Sequence, residues 1–96
     1  MIEMMRFRLR ADTDERDFLA ADARLQSDFA YRQPGLVRRT TARGQDGGWV
    51  VIDLWRSPAE ADACAARWES DPAVQAFMEF VDSQSVETSR YDELDG

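Results

Sequence analysis

The chain has 96 residues, enough for one domain that is marginal alone, because a chain of this size buries only about 60–65% of its unfolded surface. It is 44% hydrophobic and 32% charged, which is ordinary for a globular protein, and its net charge of −7 argues against nucleic acid and anionic membrane surfaces as partners, since phosphate neutralisation needs clustered cations. His, Lys and Asn are absent and all twelve cations are Arg, which removes any imidazole base, any His metal ligand and any amine for a Schiff base.

Met4–Arg10 alternates, with Met5, Phe7 and Leu9 on one side and Arg6, Arg8 and Arg10 on the other, the pattern of a half-buried strand. Ala11–Asp14 reads as a turn, and Asp12 with Glu15 predicts a capping box for a first helix. That helix carries Phe18, Ala21, Leu25 and Phe29 on one stripe, runs to about Tyr31 and is stopped by Gln33-Pro34-Gly35. Leu36–Arg43 is a second strand, Gln45-Asp46-Gly47-Gly48 a hairpin turn, and Trp49–Trp55 an aromatic, β-branched strand returning antiparallel.

Ser57-Pro58-Ala59-Glu60 places a hydroxyl at N-cap, Pro at N1 and Glu at N3, the start of a second helix that reaches about Glu69. Its inner face carries Ala61, Cys64, Ala65 and Trp68. Asp71-Pro72 repeats the cap-then-Pro signal, and Val74, Phe77, Met78 and Val81 line a third short helix ending near Asp82. Ser85–Tyr91 is a last strand, and residues 92–96 form an acidic tail expected to be frayed. No apolar run approaches the ~18 residues of a membrane span. The N-terminus lacks a signal-peptide pattern, and Cys64 is the single cysteine, so a cytoplasmic setting is expected. No cation shares the helix face of Cys64, so a packed, inert thiol is expected rather than a nucleophile.

The order β-α-β-β-α-α-β predicts an α+β, ferredoxin-like domain over residues 1–96: an antiparallel four-stranded sheet with helices on one face. The first and third strands are expected at its centre, parallel to each other and joined by right-handed crossovers. Met5, Phe7 and Leu9 with Val50, Ile52 and Leu54 make the purest apolar face, which is assigned to the helices. Arg6 and Arg8 with Trp49, Val51, Asp53 and Trp55 make a mixed face with aromatic anchors, which is assigned to a homodimer interface. Asp53 there is expected to pair with Arg6 or Arg8.

The strand end Leu54-Trp55-Arg56-Ser57, the helix start Asp71-Pro72 and the early Pro34-Gly35-Leu36, in this order and spacing, resemble the dimeric α+β barrel superfamily, in particular the antibiotic-biosynthesis-monooxygenase-like domains. The resemblance implies a homodimer built sheet to sheet, with a ligand site between helices and sheet. Its haem-degrading branch uses an Asn on the first strand, a Trp on the second helix and a His on the third. Phe7 and Phe77 stand at the aligned Asn and His positions and Trp68 lies about one position off, so haem is not expected. No cofactor and no metal are expected. The catalytic residues stay unassigned.

A ligand site, if present, is expected around Phe7, Ile52, Trp68 and Phe77, suited to a small apolar or aromatic ligand. Binding without catalysis is one reading. The alternative is a cofactor-independent monooxygenase or isomerase acting on a small aromatic or polyketide-like substrate. An open cavity with polar groups near Trp68 and Phe77 favours the enzyme, and a filled space favours the binding module.

Overall fold

The structure, a computed structural model, describes residues 1–94, so Asp95 and Gly96 of the predicted tail lie outside the described residues. Its elements are β1 (Ile2–Phe7), α1 (Glu15–Asp28), β2 (Leu36–Arg43), β3 (Trp49–Trp55), α2 (Pro58–Trp68), α3 (Pro72–Met78) and β4 (Glu87–Tyr91). No helix among the described residues is long and apolar enough to cross a membrane.

Local chemistry sets the helix starts. Ser57 Oγ accepts from the Glu60 backbone N–H at 3.3 Å and donates to Glu60 Oε1 at 3.1 Å, so the capping box closes between the two side chains. Asp71 accepts from the N–H groups of Ala73 and Val74 at 2.8 and 3.1 Å. The first cap is a correction: Asp14, not Asp12, caps α1 by accepting from Arg16 N at 2.8 Å. Asp12 instead takes the left-handed conformation, φ 64°, that completes the preceding turn. Helix α1 ends at Asp28, and the stretch predicted to extend it to Tyr31 tightens into a 3-10 turn over Ala30–Arg32. Gly35, at φ 88°, then turns the chain into β2.

The sheet order is β2-β3-β1-β4 with every pair antiparallel. β1 and β3 are central as expected, but they run antiparallel, not parallel. The hairpin between β2 and β3 reverses the chain, so the α1 crossover makes β1 parallel to β2 and leaves β3 between them.

The helices cover one face. Under one end of them Phe7, Phe18, Trp49 and Phe77 interlock edge to face or tilted, with Phe18–Trp49 centroids 4.9 Å apart and Phe7–Phe77 centroids 5.7 Å apart.

The assignment of β3's faces is overturned. Register pairs Phe7 with Trp49, Met5 with Val51 and Glu3 with Asp53. Trp49, Val51, Asp53 and Trp55 therefore lie beneath the helices, and Trp49, Val51 and Trp55 are 8%, 6% and 3% exposed. Val50, Ile52 and Leu54 join Ile2, Met4 and Arg6 on the uncovered face. Both faces of β3 are apolar, so period-two alternation separates them without saying which one the helices cover. The indoles, not the smaller aliphatics, fill the deeper space under the helices.

Candidate functional site

A β-bulge shapes the site. Leu36 pairs with Trp55 and Arg38 with Leu54, so Val37 is an extra residue in β2. The insertion lets both Leu36 and Arg39 turn toward the helices, which strict alternation would forbid. Arg39 then completes a row that crosses all four strands on the covered face: Arg39 opposite Asp53, Asp53 opposite Glu3, and Glu3 opposite Arg90.

The row borders a cavity of about 260 Å³ between the sheet, α1 and α2. Leu25, Phe29, Val51, Trp55, Trp68 and Met78 supply apolar walls, with Cys64 and Ala65 on the α2 side. The small residues on α2 leave room where a larger side chain would close the space.

The row's charges are not equally satisfied. Arg39, 6% exposed, donates to Asp22 Oδ1 at 2.7 Å and to Gln26 Oε1 at 3.2 Å, both on α1. Asp22 also accepts from Thr41 Oγ1 at 2.9 Å. At the other end Arg90 bridges Glu3 at 2.8 Å and Asp62 on α2 at 2.7 Å. Both guanidiniums are thus drawn up to the helices, and Asp53 between them is left with its buried Oδ1 unpartnered. Burial pushes the Asp53 carboxyl up to about 6; Arg39 opposes the shift, while Glu3 and Asp22 add to it. Trp55, another residue lining the cavity, has a second buried atom without a partner, its Nε1. The Cys64 thiol is pushed up to about 11 by burial first and then by Asp53 and Glu3, so it stays a neutral, inert thiol as the sequence suggested.

Of the four residues expected to line a site, only Trp68 borders this cavity. Phe7 and Phe77, 2% and 0% exposed, are packed into the aromatic core beside the cavity, and Ile52 faces the other way. The expected pairing of Asp53 with Arg6 or Arg8 is also overturned: Arg6 lies on the uncovered face, and Arg8 reaches Asp46 in the β2–β3 turn at 3.2 Å. Arg39 and Glu3 were not singled out from sequence. The one available signal for them was charge at alternating positions within strands, and the bulge hid the parity of Arg39.

No protein-family model matches the chain, and no curated protein matches it in sequence. Solved structures do share its fold. SnoaB, a cofactor-independent oxygenase from Streptomyces nogalater, superposes with a TM-score of 0.78 at 24% identity over 99% of this chain and 93% of its own. An antibiotic biosynthesis monooxygenase superposes with a TM-score of 0.75 at 15% identity, covering 99% of this chain and 100% of its own. Rv0793 from Mycobacterium tuberculosis does so at 0.70 and 19% identity, with coverages of 99% and 95%. The fold is therefore that of the antibiotic-biosynthesis-monooxygenase-like, ferredoxin-like α+β domains.

Proposed function

We propose that residues 1–96 form one antibiotic-biosynthesis-monooxygenase-like domain that binds a small, flat, mainly apolar ligand and acts on it without a cofactor. One observation carries this reading: beneath one end of the helices lies an apolar cavity floored by charged groups, with Arg39 buried and Asp53 and Glu3 part-buried, not a filled core. Arg39 and Glu3 are paired with Asp22 and Arg90, but a packed core has no reason to leave Asp53 unpaired at a void, since a buried charge costs free energy unless it is paired. At about 260 Å³ the space sits just under the usual range for ligand pockets, which suits about two fused rings. SnoaB, named a cofactor-independent oxygenase, and the antibiotic biosynthesis monooxygenase of the same fold support an oxygenation that needs no cofactor. Adding the protein to air-saturated hydroxylated naphthalenes should accelerate oxygen uptake in proportion to protein. If compounds that bind show no such acceleration, the cofactor-free oxygenase reading falls.

Binding without turnover is the second reading. It is favoured by the engagement of both arginines in ion pairs and by the inert Cys64, which leave few free groups for chemistry.

The same proposal includes a second copy of the chain as partner and a cytoplasmic setting. The helix-free face presents Ile2, Met4, Val50, Ile52 and Leu54, all only partly buried in the single chain, beside Arg6. A patch of this kind is a candidate for sheet-to-sheet pairing over roughly 1,600 Å² in total. Ile52→Glu should give a folded monomer by light scattering where the unmodified chain is a dimer. A monomeric mass for the unmodified chain at micromolar protein would refute the pairing.

A further inference from the structure

We infer that Asp53 is the proton-accepting residue of the cavity, its carboxylate holding the acidic hydroxyl of the bound ligand while the Trp55 indole N–H donates to an oxygen elsewhere on the same ligand. The inference rests on the cavity being a ligand site, as proposed above.

Two orphaned atoms carry it. Among the described residues only Asp53 Oδ1 and Trp55 Nε1 are buried side-chain polar atoms without a hydrogen-bond partner, and both residues line the cavity described above. A buried polar group left unpaired is costly, so each atom calls for a partner that the chain itself does not supply. The two have opposite character: an ionised carboxylate only accepts, and an indole N–H only donates. They stand two residues apart on one face of β3, ~7 Å along the strand. A ligand that satisfies both carries a donor at one edge and an acceptor at another, across a flat body bounded by Trp68 and Val51.

The neighbours explain why Asp53 is the group left free. Glu3 on β1 is held by Arg90 on β4, and Asp62 on α2 is held by the same guanidinium. Asp22 on α1 is held by Arg39 on β2 and by Thr41. On α2, Cys64 is a neutral thiol and Arg67 donates to Gln33. No other carboxylate in the row has an unpartnered buried oxygen. The step balances without any oxidant: the ligand O–H bond breaks, its proton forms the carboxylic acid at Asp53, and the electron pair stays on the ligand oxygen. Burial places the carboxyl near 6, where a base can both take and return a proton around neutrality.

Three probes of one size test this by calorimetry and fluorescence: naphthalene, 2-naphthol, and a nitronaphthol that is already anionic near neutral pH. Asp53 as acceptor predicts that 2-naphthol binds about tenfold or more tightly at about pH 7.5 than at about pH 4.5, the gain being lost as pH falls through the Asp53 value and the carboxylate is neutralised. Naphthalene should bind equally at both. The anionic nitronaphthol should take up about one proton on binding at about pH 8, because Asp53 must be protonated to share a hydrogen bond with it. Asp53→Asn should flatten the naphthol profile and abolish the proton uptake while naphthalene affinity is kept. Asp53→Ser serves as a second variant, with thermal melts confirming that both fold. If naphthalene binds but naphthol affinity ignores pH, or Asp53→Asn leaves the profile unchanged, the cavity stands and the role of Asp53 is refuted. If none of the probes binds, the cavity reading itself fails and this inference fails with it.

Discussion

The two ends of the space beneath the helices are built on opposite principles. At one end Phe7, Phe18, Trp49 and Phe77 meet ring to ring and leave nothing open. At the other, Trp55 and Trp68 stand apart over a void floored by Arg39, Asp53 and Glu3, with small Ala61, Cys64 and Ala65 opposite. The filled end supplies transfer free energy and fixes how the helices sit. The open end gives up packing contacts and leaves a carboxylate without a hydrogen bond, a cost that the proposed ligand would offset. In a chain this short, with little surplus stability, the division sets a packed structural end against an open one, which is where the proposed ligand is placed.

Truncation should tell the two ends apart most clearly. Phe77→Ala should cost ~3–5 kcal/mol in chemical denaturation, because Phe77 is fully buried among three aromatic partners, Phe7, Phe18 and Trp68. Trp68→Ala should cost clearly less, since its ring borders space that is already empty. Equal costs would break the contrast.

Next in size is the ion pair that draws Arg39 up to α1. Asp22→Ala leaves a guanidinium buried with Gln26 as its remaining side-chain hydrogen-bond partner, and should cost ~3 kcal/mol by the same measurement. It should also lower Asp53's carboxyl value, by freeing Arg39 to approach and by removing a like charge; NMR titration of Asp53 would read that change.

Asp53 itself should act in the opposite sense. Its carboxyl is raised on folding, so the penalty is absent below 3.8, grows as pH rises, and is complete above about 6. The gap between 3.8 and about 6 corresponds to ~3 kcal/mol, an upper figure given nearby solvent in the cavity. Asp53→Asn should therefore stabilise the protein near pH 8 and leave it unchanged near pH 3.5, as followed by thermal melts across pH. A variant that is destabilised at both would show that Asp53 has a partner within the fold. The smallest effect is the cap: Ser57→Ala should cost ~1 kcal/mol, and an unchanged melt would mean that the Ser57–Glu60 box contributes nothing to holding α2 over the cavity.

What was legible in the sequence was the chemistry that acts over a few residues. Ser57 and Asp71 announce their helices because a side-chain oxygen three positions from a free N–H, followed by Pro, has few other uses. The element order, the antiparallel sheet with helices on one face and the central place of β1 and β3 follow from such signals. Facing was not legible. Trp49, Val51 and Trp55 alternate with Val50, Ile52 and Leu54, and two apolar faces give no local sign of which is roofed; only the pairing of Trp49 with Phe7 decides it. Arg39 was hidden by the Val37 bulge, which shifts parity by one residue. Asp12 and Asp14 both offer a cap, and the turn geometry of Asp12 selects Asp14. A space between helices and sheet was expected, but the residues lining it could not be read, because a cavity is what remains after distant elements have packed. Trp68, on the inner face of α2, was the one expected site residue to reach it.

The central claim is that the open end is a ligand site and the aromatic end is core. A crystal structure of the protein soaked with 2-naphthol tests it most directly. The account predicts ring density bounded by Trp55, Cys64 and Trp68, with the hydroxyl within hydrogen-bonding distance of Asp53 and the Phe7–Phe77 contact unchanged. Side chains collapsed into the space with no ligand bound, or a ring lodged between Phe7 and Phe77 instead, would contradict it.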